Sequence, residues 1–255
     1  MTEEEVPHAQ SVGSEDVSVD SDRQETAREY ARISRRLMVV DLVVSFALVV
    51  GFLMTGASQW LRNLLVGWGL TSPWLLVPTY VLLVYLGYTA IFLPLSWYSG
   101  FVLPHRYEMS TQDADDWWLD QLKGMGLSLA IGLPLSEVIY WFLRAQPETW
   151  WIWAAVLLVV LSVVMGYLFP VLIVPIFYDL TVLEDEDLVQ RIKGLAERVG
   201  VQVAGVYTID LSRRTRAANA MVMGVGSTKR IALGDTLYED FTGDEIETIL
   251  AHELG

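Results

Sequence analysis

The feature that most constrains this fold is the separation of apolar and charged residues along the chain. Residues 42–105 carry a single full charge, Arg62, whereas residues 1–36 carry nine acids and five bases. Residues 183–255 carry thirteen acids and eight bases. This separation reconciles a positive mean hydropathy of +0.39 with a net charge of −14. An apolar stretch of this length predicts an integral membrane protein with polar ends.

Four apolar runs are long enough to cross a bilayer as helices. Eighteen helical residues extend about 27 Å, close to a hydrocarbon core of roughly 30 Å. Residues 59–70 are too short and too interrupted by glycine to span, so they predict an interfacial turn. Tryptophans lie near the ends of the runs, as expected for anchors at the headgroup level. The predicted spans are residues 37–54, 73–97, 124–143 and 150–169.

The basic residues predict how the spans are oriented. The arginines before residue 37 outnumber Arg62, which is the basic residue of the next short loop. The positive-inside rule therefore places the N-terminus in the cytoplasm, and four spans return the C-terminal region to the same side. We expect a multi-pass protein of a prokaryotic plasma membrane, with residues 1–36 forming an acidic disordered tail.

Two ionisable residues, Asp41 and Glu137, fall inside the predicted spans. Charges at membrane depth are costly, so they could line a cavity or relay protons. Alternatively, Asp41 lies one turn from the interface, and Glu137 pairs with a backbone or side-chain partner. A transporter would use such groups, but no inverted repeat of broken spans supports that class. Prolines are predicted to kink or end the helices at positions 94, 104, 134, 170 and 175.

Composition excludes several other functions. The chain has no cysteine, which rules out disulfides, cysteine-ligated zinc and thiol catalysis. Its net charge of −14 argues against nucleic acid as a partner, because the polar C-terminal region has no basic cluster beyond Arg213, Arg214 and Arg216.

The polar C-terminal region has an α+β pattern. Residues 187–199 have apolar side chains at helical spacing, and Gly200 ends that helix. Residues 201–209 are β-branched and predict a strand. Residues 219–224 and 229–233 predict a hairpin that turns at a Gly-Ser pair. Thr242 and Glu245 form a capping box that opens a last helix.

That last helix ends in Ala251-His252-Glu253-Leu254-Gly255. In the pattern His-Glu-x-x-His, two imidazoles one turn apart bind one zinc ion, and the glutamate is the general base of a metalloprotease. The second histidine would be the next residue after Gly255. Taken alone, these residues also fit an ordinary helix end with a polar last turn.

The surrounding sequence resembles the integral-membrane zinc metallopeptidases of the CAAX prenyl endopeptidase type, whose catalytic helix reads His-Glu-x-Gly-His. The resemblance covers roughly residues 37–255 and rests on four stretches in the family's order. These stretches are Leu93 to Tyr98 with Phe101–Leu103 and Arg106-Tyr107; Val174 to Tyr178 with Leu183 to Asp185 and Leu195 to Gly200; Asp210, Ser212, Arg214 and Asn219-Ala220 with Lys229 to Ile231 and Asp235 to Leu237; and Thr242, Asp244 to Ile246 and Leu250 to Gly255.

The resemblance implies a mainly α membrane protein of about four transmembrane helices, followed by an incomplete α+β zincin-like catalytic domain. The implied boundaries are 1–36 for the tail, 37–180 for the membrane domain and 181–255 for the first part of the peptidase domain. His252 would be the first zinc ligand and Glu253 the general base. Asn219 and Ala220 would lie on an edge strand whose backbone pairs with an extended peptide, although Asn219 could equally be a turn residue.

The implied function is that of a zinc-dependent membrane endopeptidase, acting on C-terminal segments or on membrane proteins within a chamber of helices. The second histidine and a later glutamate ligand would lie beyond Gly255, so we expect the 255-residue chain alone to be inactive and to bind zinc weakly. The alternative is a non-catalytic membrane scaffold with a degenerate protease fold. The arginines at 213, 214 and 216 could meet a substrate carboxylate, but a solvated basic loop is the simpler expectation.

Overall fold

The computed structural model describes the backbone of residues 21–254 and, apart from residues 21–23, 227 and 254, their side chains. Within this range four helices are long and apolar enough to cross a membrane, which confirms the predicted number of spans. They contain α1 (Ser21–Met54), α3 (Pro73–Trp97), α5 (Ala114–Ala145) and α6 (Trp150–Leu168).

Two predictions about the first part of the chain need correction. Helix α1 begins at Ser21, so residues 21–36 are helical and do not belong to a disordered tail; residues 1–20 lie outside the described residues. The predicted interfacial turn is a second helix, α2 (Ala57–Gly67), with Leu65 fully buried. Eleven helical residues extend only about 16 Å, so α2 is too short to cross the bilayer.

Aromatic contacts fix the membrane helices as antiparallel neighbours. The ring centroids of Trp97, at the end of α3, and Trp117, near the start of α5, are 4.9 Å apart. At the opposite ends, the Arg144 guanidinium stacks 5.1 Å from the ring of Trp74. The two helices therefore run in opposite directions over their full length, as consecutive spans must.

Two of the long helices finish in a π-helical turn followed by a short helix. The turn Tyr98–Val102 precedes α4 (Leu103–Arg106), and the turn Phe169–Ile173 precedes α7 (Val174–Phe177). Prolines 104, 170 and 175 fall in or beside these turns, where their missing N–H groups disturb the usual α-helical bonding. Pro94 and Pro134 lie inside continuous helices, so of the two predicted effects, kinking or ending a helix, they do not have the second.

The C-terminal region is a four-stranded mixed sheet with helices on one face. Its strands are β1 (Leu180–Val182), β2 (Gly205–Ile209), β3 (Ala220–Met223) and β4 (Arg230–Gly234), in the order β1-β2-β4-β3. β2 and β4 are parallel, while β1 and β3 run antiparallel to their neighbours. Among the described strands, β3 is therefore an edge strand.

Alternate residues of the sheet face two separate apolar clusters. Ala220, Ile231 and Leu233 face a core that contains α8 (Glu186–Arg198), α9 (Asp235–Asp240) and α10 (Gly243–Leu254). Met223 and Ala232 face the other way, toward Val174 at the end of the fourth span. The sheet thus joins the helical layer to the membrane region.

The predicted elements of this region are confirmed with three differences. The helix at 187–199 and the hairpin at 219–233 are present, but β2 starts at Gly205 because residues 201–204 form a loop. The hairpin turn contains a short 3₁₀ turn, Gly226–Thr228. The capping box is half formed: the Glu245 carboxylate accepts from the Thr242 N–H at 2.8 Å, but the Thr242 hydroxyl donates to that carboxylate.

Candidate active site

His252 and Glu253 lie in the last turn of α10, and both are exposed. Ile246 and Leu250, on the buried face of the same helix, are at most 1% exposed and belong to the core shared with Ala220 of β3. At about 100° per residue, His252 lies about 200° around the helix from Leu250 and faces away from this core. Glu253 lies on the same side as Ile246 but almost two turns further along the helix, and it is exposed. Hydrophobic packing therefore fixes the helix that presents both polar groups to solvent.

Ion pairs fix the first half of α10 against α8. The Arg191 guanidinium donates to the Asp244 carboxylate and, at 2.9 Å, to Glu247. Arg198 donates to the other oxygen of Glu247 at 3.1 Å. Hydrogen bonds from Arg191 and Arg198 hold the pKa of the Glu247 carboxyl below its usual value. The orientation of α10 thus depends on charged contacts at its rim as well as on its buried face.

Strand β3 lies beside α10 and has an open edge among the described strands. Asn219 and Gly234 are directly opposite, and the Gly234 N–H donates to the Asn219 carbonyl at 2.8 Å. In an antiparallel ladder the residues that bond to the partner alternate. The backbone groups of Ala220 and Val222 therefore point away from β4, while the Asn219 carbonyl is already used.

This register corrects one part of the predicted site. Asn219 cannot offer its carbonyl to a substrate strand, because β4 occupies it. Its side chain is exposed at the start of β3. Ala220 keeps outward-directed backbone groups, although the residue is only 4% exposed and its methyl group lies in the core.

The loop that leads into β3 pairs with the segment after α4. Ser110 and Thr215 form an antiparallel bridge, the Thr111 N–H donates to the Arg214 carbonyl at 3.2 Å, and the Arg216 N–H donates to Met109 at 3.3 Å. On its other side the loop is held by Asp235, which accepts from Ser212. Burial alone would raise the pKa of Asp235, but the hydrogen bonds from Ser212 and Thr236 lower it.

Arg214 is the centre of this junction. Its guanidinium forms two bonds to Asp120 of α5, Nε–Oδ2 at 2.9 Å and Nη2–Oδ1 at 3.0 Å, and it lies 4.4 Å from the ring of Tyr178. The Phe177 carbonyl also accepts from it. Burial opposes the charge of Arg214, yet the bonds to Asp120 raise its pKa above the ordinary arginine value.

These contacts change the interpretation of the basic loop. Arg214 is only 14% exposed and is neither a solvated charge nor free for a substrate, whereas Arg213 and Arg216 are exposed. Sequence reasoning missed Asp120 and Gln112, whose amide donates to Asp120 at 2.7 Å. The position of Asp120 carries no local pattern, because its partner Arg214 lies 94 residues away along the chain.

A cavity of about 280 Å³ lies between the fourth span and the sheet. It is partly lined by Phe169 and Tyr178 from the membrane side and by Asn219 and Met221 from the edge strand. Asn219 therefore lies where the start of β3 borders an opening next to the membrane region.

The two ionisable residues inside the spans differ in their surroundings. Asp41 is exposed on the surface of α1. Both carboxylate oxygens of Glu137 are buried, and no hydrogen-bond partner for them lies within the described part of the chain. Of the two alternatives left open for Glu137, pairing with a backbone or side-chain partner is therefore not found among the residues that the structure describes.

A catalytic zinc ion requires three protein ligands. Within residues 21–254, no three His, Cys, Asp or Glu side chains are grouped closely enough to bind a metal. His252 is exposed and suited to be one such ligand, but the residues described here do not complete a zinc site.

Comparison with known proteins identifies relatives over both regions. The chain is 29% identical over 231 residues to the uncharacterized metalloprotease YhfN of Bacillus subtilis, covering 90% of this chain and 53% of that protein. It is 38% identical over 171 residues to CAAX prenyl protease 1 of Saccharomyces cerevisiae, covering 66% of this chain and 37% of that protein. The chain thus spans about half or less of the length of these relatives.

The crystal structure of S. mikatae Ste24p has the same fold. It matches with a TM-score of 0.81 and 28% identity over 92% of this chain and 57% of that chain. Residues 5–179 match the family described as CAAX prenyl protease N-terminal, five membrane helices, and residues 182–255 match peptidase family M48. The named relatives are proteases, which does not favour the non-catalytic scaffold. The chain belongs to the CAAX prenyl protease family of M48 metallopeptidases.

Proposed function

We propose that this chain carries the first part of the active site of a zinc-dependent membrane endopeptidase. The observation that carries the proposal is the exposed His252–Glu253 pair on α10, the helix that packs beside the open edge of β3. The placement supports a site in which one helix supplies the chemistry and the neighbouring strand aligns the peptide.

In this proposal His252 binds the zinc ion through one ring nitrogen. Zinc, when bound, polarises the peptide carbonyl and makes water more acidic. Glu253 accepts a proton from the attacking water and delivers it to the leaving amine, so that hydrolysis yields one carboxyl and one amino group. The exposed position of Glu253 leaves its carboxylate accessible to water and substrate.

The substrate would be an extended peptide along β3. Ala220 and Val222 direct backbone groups away from β4 and could pair with it, while Asn219 would contribute its side chain at the start of the strand. The yeast relative is named a CAAX prenyl protease. For this chain we propose a C-terminal segment or a membrane protein as the substrate.

We further propose a prokaryotic plasma membrane with both the N-terminus and the catalytic region in the cytoplasm. The arginines that precede the apolar part of α1 support this orientation. A reporter fused after Val182 should be active only in the cytoplasm; a periplasmic signal would contradict the topology.

The test of the proposed chemistry is Glu253→Gln in the full-length protein, assayed on a quenched fluorescent peptide with and without a zinc chelator. Loss of the general base should lower turnover by about 10²–10⁴-fold. The zinc content, measured on the same preparation, should stay unchanged because Glu253 is not a ligand in this proposal.

Glu239→Gln provides the matched control, since Glu239 is an exposed glutamate on α9. It should leave turnover within about twofold, the usual scale of a surface change. Turnover that survives Glu253→Gln, or that is insensitive to the chelator, would refute the assignment. Zinc titration of the 255-residue chain should show weak binding only.

A further inference from the structure

Four arginines form one continuous face at the start of α1. Arg28, Arg32, Arg35 and Arg36 have the spacing i, i+4, i+7 and i+8, which places them within an arc of about 100° on a helix. All four side chains are exposed. They line a surface groove together with Ala31, Val39 and Val40. We call these four residues the arginine face.

The depth of the arginine face matches the headgroup layer. Apolar sequence begins directly after Arg36 and continues to Met54, with Asp41 as its one charged residue. With a rise of about 1.5 Å per residue, Arg32 lies about 6 Å and Arg28 about 12 Å outside Arg36. The headgroup region of one leaflet is roughly 5–7 Å thick. Arg32, Arg35 and Arg36 therefore lie within that layer, and Arg28 lies about 5 Å beyond it.

The described side chains compensate only part of the charge of this face. None of the ion pairs among the described side chains involves any of the four arginines. Glu25 and Glu29 adjoin its outer half, next to Arg28 and Arg32. Asp41 lies about 140° around the helix from Arg36 and so faces away. Among the described side chains, Arg35 and Arg36 therefore present net positive charge at headgroup depth, while Arg32 lies beside Glu29.

Contacts between the helices identify the leaflet. The ring of Tyr30 lies 5.4 Å from that of Tyr107, which follows α4. Residues just beyond Tyr107 pair with the loop that leads into β3. The arginine face is therefore on the side of the membrane that carries the C-terminal region with His252.

We propose that the arginine face is a binding site for anionic phospholipids in this leaflet. Basic clusters directly beside a transmembrane helix attract anionic headgroups, with an effect of roughly fivefold in local lipid concentration per arginine. Guanidinium groups also form paired hydrogen bonds with phosphate oxygens. Val39 and Val40, both exposed in the groove, would contact the upper part of the acyl chains of the bound lipid.

The sequence offers a clean way to test this, because it contains no cysteine. Val39→Cys introduces one labelling site about 4.5 Å inside Arg36 along the helix. A fluorophore on that cysteine, in the 255-residue chain reconstituted into nanodiscs, reports the lipid next to the arginine face. Quenching is compared between phosphatidylglycerol and phosphatidylcholine that carry a nitroxide near the top of the acyl chain.

At equal mole fraction we expect stronger quenching by the anionic lipid, with an apparent preference of about fivefold or more. The triple variant Arg32→Gln/Arg35→Gln/Arg36→Gln should reduce this preference to near one, and 1 M salt should weaken it. Arg106→Gln is the matched control, since Arg106 is an exposed arginine on the same side but on α4. It should leave the preference unchanged.

Equal quenching by the two lipids would overturn the proposal. A lipid preference that survives the triple variant would also overturn it. So would a preference that emerges only when residues 1–20 are deleted, since the arginines would then bind the acidic residues of that segment and not lipid. The readout does not depend on peptide cleavage, so its failure is separate from failure of the proposed protease chemistry.

Discussion

The ion pair between Asp120 and Arg214 connects the membrane region to the loop that leads into β3, and Asp120→Ala should loosen that connection. The Asp120 carboxylate accepts two bonds from Arg214 and one from Gln112. The paired side chains are only 19% and 14% exposed. Removing one partner of a fully buried pair costs about 3–5 kcal/mol, because the remaining charge is left without compensation. Partial exposure and the remaining contacts of Arg214 reduce this to about 2–3 kcal/mol.

Amide hydrogen exchange can measure this loss of free energy at the junction itself. The Thr111 N–H bonds to Arg214, and the Arg216 N–H bonds to Met109, so both amides report local opening of the junction. A loss of about 2–3 kcal/mol should accelerate their exchange by about 30- to 150-fold, since 1.4 kcal/mol corresponds to a factor of ten. Amides of β4 should change little, because this strand is central in the sheet.

Asp116→Ala is the matched control for this experiment. Asp116 also lies on α5, but it pairs with the exposed Arg213 at 3.4 Å, with the two side chains 38% and 51% exposed. Such surface pairs contribute about 0–1 kcal/mol, so exchange should rise by about fivefold at most. Equal exchange in the two variants would refute the view that burial makes Asp120 the structural connection.

Three further predictions concern the C-terminal region. Leu250→Ala, at a side chain with no exposure, should lower the free energy of unfolding by about 2–4 kcal/mol in chemical denaturation, and a loss below 1 kcal/mol would contradict its place in the core. Gly224→Ala should destabilise the protein by about 1–3 kcal/mol in thermal unfolding, because φ is +93° and a Cβ would meet a backbone carbonyl oxygen at 2.5 Å. Gly194→Ala, which has open space around it in α8, should instead stabilise the protein by up to about 1 kcal/mol. The two arginine partners of Glu247 lower the pKa of its carboxyl group. The contribution of this ion pair to stability is therefore complete above the unfolded-state pKa of about 4.3 and is lost as pH falls through the lower folded-state pKa. Glu247→Gln should reduce this loss of stability at acid pH, and a pH profile of the melting temperature that the substitution leaves unchanged would contradict the pairing.

Local patterns in the sequence were sufficient for much of the architecture. The four spans follow from uninterrupted apolar runs, and α8 follows from apolar residues at helical spacing ahead of Gly200. The hairpin of β3 and β4 follows from two β-rich segments around a glycine-containing turn. These features depend on the pattern of apolar and polar residues that are close together along the chain, and this pattern can be read directly from the sequence.

Features that depend on long-range partners were missed or incomplete. The helical state of residues 21–36 and the buried position of Leu65 required knowledge of the neighbouring helices. Asp120 had no signal of its own, and Arg214 was grouped with its exposed neighbours. Whether a charged side chain is solvated or paired depends on which distant segments are packed beside it, and no local pattern encodes that.

The sequence by itself determined that this is a membrane protein with a His252–Glu253 pair at the end of an amphipathic helix, because hydropathy and motif spacing are local properties. Only the tertiary structure decided that this helix packs beside an edge strand, and that the Asn219 carbonyl is already bonded to β4. It also decided that Asp120 of the membrane region holds the loop before that strand. These are contacts between residues far apart along the chain, and they exist only once burial of the apolar faces has brought the segments together.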